Sequence, residues 1–350
     1  MKAAQEAIAL LQQLIQTPSF SEQEEQTANC IENWLQQRNI TTQRQDNTVW
    51  ATNKFFDPQK PTLLLNSHHD TVQPNKAYTR DPFSADIIDG KLYGLGSNDA
   101  GGALVSLMAL FHHYYEHPNP NYNLLLAATA EEETAGPKSL RGVLPHLPKV
   151  DLAIVGEPTL LDLAVAEKGL VVLDATVKGT PSHAAHQNDD QALLKVPAII
   201  QKIETISFPK ISESLGEVKV TLTQIEAGKQ HNVIPATVKM VIDVRVNDCY
   251  TNAEVEAILQ KELDCEVQAR SLHLKSSSIP IEHPLVQAGI GLGKKTYGSP
   301  TLSDQAALSC PSLKLGPGDS TRSHTADEFI YTHEIEEGIA FYIALLKQIL

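Results

Sequence analysis

Four short apolar runs in this chain stop abruptly at a histidine or a carboxylate. Leu63-Leu64-Leu65-Asn66-Ser67 ends at His68-His69-Asp70, and Leu124-Leu125-Leu126-Ala127-Ala128-Thr129-Ala130 ends at Glu131-Glu132-Glu133. Leu152-Ala153-Ile154-Val155-Gly156 ends at Glu157, and Leu313-Lys314-Leu315-Gly316 leads through a Gly/Pro loop to His324. Apolar runs of this length bounded by polar residues read as buried strands. Open α/β sheets bind ligands outside the carboxyl ends of their strands. Four such ends carrying His or carboxylate point to one convergent metal site in an α/β fold.

Composition narrows the setting. A chain of 350 residues buries a large core and is expected to form two domains. The net charge of −14 argues against nucleic acid and anionic membranes as partners and fits a cytoplasmic enzyme. Cys30, Cys249, Cys265 and Cys310 are scattered with no CxxC pair, so neither a thiolate zinc site nor a disulfide framework is expected. Glu6, Gln12 and Gln13 interrupt the N-terminal apolar pattern, against a signal peptide. No run approaches the ~20 apolar residues of a membrane span.

Ala7, Ile8, Leu11, Leu14 and Ile15 recur at helical spacing, and Thr17-Pro18-Ser19 stops that helix. Ser21-Glu22-Gln23-Glu24 resembles a capping box before a second helix through Ile31, Trp34 and Leu35. Gly94 and Gly96 lack the third glycine and the following acidic residue of a dinucleotide site. The glycines after Asp99 are expected to let a helix start close against the site. From Gly169 the texture changes to strand 170–177, helix 193–206, strands 218–225 and 238–246, helix 252–263 and strand 265–272. That β-α-β-β-α-β order is the ferredoxin-like motif. It divides the chain into a metal-binding domain of 1–169 and 279–350 and an inserted domain of 170–278.

His and carboxylates without cysteine favour Zn²⁺ or a similar divalent ion in an open hydrolytic site. Strand alternation puts His68 and Asp70 on one face and turns His69 away. In an extended segment Glu132 and Glu133 point in different directions, so that one can bind metal and the other act as a base. Taken singly, each is more often a surface or capping residue. Together they complement one another, and three consecutive glutamates at a buried strand end would repel without a cation.

These segments resemble the family of acetylornithine deacetylase, succinyl-diaminopimelate desuccinylase, aminoacylase and carboxypeptidase-type dinuclear zinc hydrolases. The resemblance rests on five motifs in order: 67–72, 93–99, 129–133, Val155-Gly156-Glu157-Pro158-Thr159, and Gly316-Pro317-Gly318 through His324 to Asp327-Glu328. It implies a zinc-exopeptidase-like mixed sheet flanked by helices, with an inserted dimerisation (lid) domain. It implies two Zn²⁺ per chain, with Co²⁺ or Mn²⁺ as substitutes. His68, Asp99 and Glu157 would bind the first, and Asp99, Glu133 and His324 the second. Glu132 would be the general base and acid, and Asp70 would orient His68. Leu95, Gly101 and Glu131 stand where the family often has Arg, Lys and Asp. None is a ligand, so they bear on the subfamily only.

In the inserted domain, Gly179-Thr180-Pro181-Ser182-His183 resembles the segment whose histidine reaches the partner subunit's active site and stabilises the oxyanion. Asn232 and Arg245 resemble the group that holds the substrate carboxylate; alone, Arg245 reads as a strand-face ion pair with Asp243. Ser303 and Asp304 resemble a substrate-side loop. The expectation is a cytoplasmic homodimer acting on a small-molecule N-acyl amino acid. Glu167-Lys168-Gly169 and the Gly-Glu-Pro-Thr form bring the chain nearest to deacetylation of N-acetyl-L-ornithine in arginine biosynthesis, releasing acetate and ornithine. Succinyl or citrulline substrates, succinyl-diaminopimelate and dipeptides are the alternatives. A binding protein that had lost catalysis would lack a ligand, and none is missing.

Overall fold

The structure, a computed structural model, describes residues 2–118 and 121–350. It divides into two compact units, one of Met1–Val165, Ser278–Tyr297 and Ser303–Leu350, the other of Ala166–Ser277 and Gly298–Leu302.

In the larger unit the apolar runs are strands of one mixed sheet. Six of its strands lie side by side in the order Gln43–Gln45, Thr48–Thr52, Asn123–Thr129, Thr62–His68, Leu152–Val155 and Ser312–Lys314. The last four run parallel to one another, whereas Thr48–Thr52 is antiparallel to Asn123–Thr129. Thr62–His68 and Asn123–Thr129 are buried along their whole length, as strands covered on both faces must be. Leu63 and Leu65 pack with Leu124 and Leu126 in one core, while Leu64 packs with Leu125 and Ala153 in another. That division follows from the two-residue period of a strand, and each such burial is worth about 1.5–3 kcal/mol. The register sets His68 beside Thr129 and Asn66 beside Val155. Three strands therefore deliver their carboxyl ends to the same edge.

Helix Gly102–Tyr114 is buried on nearly every side and packs against strand Thr62–His68 and helices Lys2–Ile15 and Thr332–Leu346. Its start is as close as the glycines imply. A Cβ on Gly101 would lie 2.4 Å from the Gly96 carbonyl oxygen and 2.6 Å from Leu11 Cδ1.

The smaller unit contains Gly169–Lys178, Ala192–Thr205, Lys219–Ala227, Thr237–Val246, Asn252–Glu262 and Glu266–Ala269. Its antiparallel sheet has the order Lys219–Ala227, Thr237–Val246, Gly169–Lys178, Glu266–Ala269. Alternate residues Val171, Leu173, Ala175 and Val177 are buried with Ile199, Ile203, Val255 and Leu259 of its two helices. This is a ferredoxin-like α+β layer with its own core. Its last strand is shorter than the sequence suggests.

One local expectation is overturned. The second helix begins at Glu25, with Glu24 as N-cap and no side-chain cap bond. Ser21 donates instead to Asp70 Oδ2 at 2.7 Å. A buried carboxylate is a stronger acceptor to satisfy than helix-end N–H groups that water can serve. All four cysteines are free thiols. Among the described residues no helix is long and apolar enough to cross a membrane.

Candidate metal centre

His68 ends its strand with its two ring nitrogens facing different partners. Nδ1 lies 3.4 Å from Asp70 Oδ1 and 3.0 Å from the Asp70 carbonyl oxygen. Nε2 lies 3.4 Å from Asp99 Oδ1, 3.8 Å from Glu157 Oε1 and 4.0 Å from Glu132 Oε2. The other Asp99 oxygen, Oδ2, is 3.6 Å from His324 Nε2, which is itself 3.0 Å from Glu133. One carboxylate thus stands between two imidazoles, and each imidazole has a further carboxylate of its own. Ligand atoms of His68, Asp99 and Glu133 all lie within 4.8 Å of one another.

The local backbone explains how these groups converge. Glu157 follows Gly156, where a Cβ would come within 2.7 Å of Leu107 Cδ1 and 3.1 Å of Ser67 Cβ, so glycine lets the strand end pass between its neighbours. Asp99 sits in an irregular stretch, with φ −117° and ψ 99° and a cis peptide to Ala100. His69 turns away as alternation requires: Nδ1 is 2.9 Å from Thr27 Oγ1 and Nε2 is 2.9 Å from the Asn47 carbonyl oxygen.

The glutamate run differs from expectation. Residues 131–135 form a turn rather than an extended segment, with Glu131 at φ 53° and Ala135 at φ 48°. Glu131 is buried apart from the site, and its carboxylate accepts the Lys138 N–H at 3.0 Å. The three glutamates therefore do not share one site. Glu132 and Glu133 both lie within the turn, and both of their N–H groups donate to the Asp70 carboxylate, at 3.1 and 3.2 Å. Asp70 Oδ1 faces both the His68 ring and the Glu132 N–H, and Oδ2 accepts from Glu133 and from the Ser21 hydroxyl.

The electrostatics follow from burial and like charge. Burial pushes Glu157 up to about 8, helped by the Asp99 charge. Burial also raises Glu132 well above the ordinary carboxylate range; His68 opposes the shift, and Glu157, Asp304 and Glu133 add to it. Burial alone would depress His68, yet its contacts with Asp70 and Asp99 and the charges of Glu132 and Glu157 raise it well above its usual value. Bonding to Glu133 raises His324 to about 9. Carboxylates packed at this edge demand positive charge, which protons or a divalent cation can supply. The imidazole and oxygen donors fit Zn²⁺ or a similar ion, and no thiolate takes part.

Ser303 and Asp304, expected on a substrate-side loop, stand at the head of the short helical turn Asp304–Ala307. Both are buried: the Ser303 hydroxyl accepts the Gln305 N–H at 3.3 Å, and Asp304 Oδ2 accepts the Thr129 hydroxyl at 2.6 Å. Thr129 also accepts from the Asn66 amide at 3.0 Å, so a polar network backs the site. Burial pushes Asp304 up to about 6. No sequence signal marks this network, because Thr129 and Asp304 are 175 residues apart.

In the smaller unit, Ser182–His183 pairs with Val233–Ile234, and the Asn232 carbonyl accepts the Ala184 N–H at 3.0 Å. His183 and Asn232 are thereby neighbours. His183 Nδ1 accepts the Ala185 N–H at 3.1 Å, which leaves the ring proton on Nε2. Arg245 is paired with Asp243 on its strand face, Nε to Oδ1 at 2.9 Å and Nη2 to Oδ2 at 3.2 Å.

Residues 64–348 match the model of peptidase family M20/M25/M40. A stretch of 209 residues, 55% of the chain, is 29% identical to succinyl-diaminopimelate desuccinylase 2 of Ruegeria sp.; it spans about half, 52%, of that relative. Acetylornithine deacetylase of Erwinia tasmaniensis is 28% identical over 365 residues, 93% of each chain. The fold superimposes on the crystal structure of the YXEP protein of Bacillus subtilis, described as a dinuclear metal-binding peptidase, with TM-score 0.74 and 16% identity over 99% of both chains. The chain belongs to peptidase family M20/M25/M40 and is a metallo-hydrolase of the amidohydrolase and peptidase type.

Proposed function

We propose that the chain hydrolyses the amide of an N-acyl amino acid, with N-acetyl-L-ornithine the foremost substrate and acetate and ornithine the products. The observation that carries the reading is Asp99, whose two oxygens face His68 and His324 separately. His68, Asp99 and Glu157 would hold one ion, and Asp99, Glu133 and His324 a second. Zinc is the proposed metal, and the neighbour described as dinuclear supports the pair. Bound divalent ions supply Lewis acidity to an amide carbonyl and acidify water.

The rest is the work of side chains. Glu132 removes a proton from the attacking water and returns it to the departing amine. Asp70 fixes the His68 ring through Nδ1. His183, with its proton on Nε2, donates to the developing oxyanion, and the family resemblance supports its acting across a homodimer. Arg245 holds the substrate α-carboxylate, and Asp243, bonded to its Nε and Nη2, orients the guanidinium. Asn232 is proposed to assist there. We take 170–278 as the dimerisation domain and the remainder as catalytic, in a cytoplasmic enzyme of arginine biosynthesis. Relatives named for deacetylation and desuccinylation support the acyl–amino acid class.

A kinetic screen tests the substrate. N-acetylornithine is expected to give the highest kcat/KM among N-acetyl and N-succinyl forms of ornithine and citrulline, succinyl-diaminopimelate and free dipeptides. A dipeptide at the top of the ranking would contradict it. In the same screen Arg245→Lys should weaken substrates with a free α-carboxylate, because a point charge does not replace a fork. Amide-blocked analogues should be poor for both proteins, and equal damage to both substrate types would make Arg245 structural.

Mixed dimers test His183. Homodimers of His183→Ala and of Glu132→Ala should both be nearly inactive. Refolding an equal mixture gives roughly half mixed dimers with one intact site each, so activity should return to about a quarter of wild type. If mixed dimers form and activity stays at the level of each variant alone, His183 does not act across the interface.

A further inference from the structure

The chemistry above gives no task to the buried carboxylate of Glu328. Glu328 is 2% exposed and immediately precedes strand Phe329–Tyr331, which pairs antiparallel with Lys91–Tyr93. Its own carbonyl accepts the Gly94 N–H at 2.9 Å, so its backbone is fixed to the segment that leads to Asp99. Its carboxylate reaches into that segment. Oε1 accepts the N–H groups of Asn98 at 2.8 Å and Asp99 at 2.9 Å, and Oε2 accepts that of Gly96 at 3.2 Å.

Buried N–H groups in irregular backbone must find acceptors. Three of them within four residues need an acceptor with two oxygens and no competing hydrogen, which a carboxylate supplies and an amide does not. Asn98 ties the same stretch onward: its amide donates to the Asp319 carbonyl at 3.1 Å and its oxygen accepts the Asp319 N–H at 3.0 Å. The Asp99 stretch and the turn before His324 are thus fastened together.

We propose that Glu328 is a positioning residue whose carboxylate, through the N–H groups of Gly96, Asn98 and Asp99, sets where the Asp99 carboxylate stands between His68 and His324. The proposal rests on the reading of Asp99 as a shared metal ligand. Glu328→Gln keeps the shape but turns an N–H₂ toward either the Gly96 N–H or the pair at Asn98 and Asp99. Glu328→Asp keeps the charge and draws the oxygens back by one methylene.

Both variants are compared with wild type by thermal unfolding of the metal-free protein, by chelator competition for Zn²⁺ and by the visible absorption of bound Co²⁺. Loss of an outer partner of a ligand typically costs about 10–100-fold in metal affinity. Glu328→Gln should weaken at least one ion by that factor and alter the Co²⁺ spectrum, with Glu328→Asp intermediate. Wild-type affinity for both ions in a variant that has only lost thermal stability would overturn the proposal. Failure of both variants to fold with metal present would also overturn it, by making Glu328 a determinant of the fold. If the wild type itself binds no metal, the underlying reading fails, a result distinct from an unchanged variant.

Discussion

Glu132→Gln should lower kcat by about 10²–10⁴ while leaving metal content unchanged, the loss expected when a single general base is removed. The side chain sits beside the His68, Asp99 and Glu157 group, 4.0 Å from His68 Nε2, on a turn whose backbone is pinned to Asp70. Gln fills the same space and keeps the turn but does not take a proton. Glu133, one residue on, is bonded to His324 Nε2, and Glu133→Gln should lose metal as well as rate. The two glutamates are adjacent, so a shared structural defect would affect both variants alike, whereas the account requires them to part. Metal analysis and kcat on both variants decide it. If Glu132→Gln loses metal and Glu133→Gln retains it, the two roles are reversed.

The parts of the site that were legible in the sequence are those set by local pattern. Apolar runs such as Leu63-Leu64-Leu65 announce buried strands, and parallel pairing brings the residues that follow them to one edge. Alternation placed His69 away from His68, and its ring is indeed bonded to Thr27 and Asn47. What the sequence hides depends on long-range contacts or on backbone that departs from its element. Ser21 reads as a helix cap, but its strongest available partner is Asp70, 49 residues away. The left-handed turn at Glu131 removes one of three glutamates from the cluster, and no residue preference marks it. Asp304 reads as part of a substrate-side loop, and its bond from the Thr129 hydroxyl, 175 residues away, leaves no trace in the sequence. Glu328 stands in a recognisable motif, yet its role is visible only from three N–H groups about 230 residues earlier.

Removing metal should abolish hydrolysis and change how stability depends on pH. In the metal-free protein Glu157 is raised from 4.5 to about 8 and Asp304 from 3.8 to about 6 by burial. A group whose folded pKa is raised contributes its stability fully below the unfolded value and loses it as pH climbs through the folded one. His324, raised from 6.5 to about 9 by Glu133, shifts in the same direction. Above pH 6.5, where His69, His112, His113 and His283, lowered by burial, no longer act in the opposite sense, metal-free protein should lose thermal stability as pH rises to about 9. Divalent cations should restore it most at the alkaline end, where the carboxylates are charged and the imidazoles neutral. A midpoint that is flat with pH in the metal-free protein would count against this arrangement.

The most direct test adds Zn²⁺ or Co²⁺ stepwise to exhaustively chelated enzyme while bound metal and hydrolysis of N-acetylornithine are followed together. The account predicts no activity without metal, recovery on addition, saturation at two ions per chain, and loss of binding at both positions in Asp99→Asn. Full activity in demonstrably metal-free protein, or saturation at a single ion that Asp99→Asn leaves untouched, would contradict it.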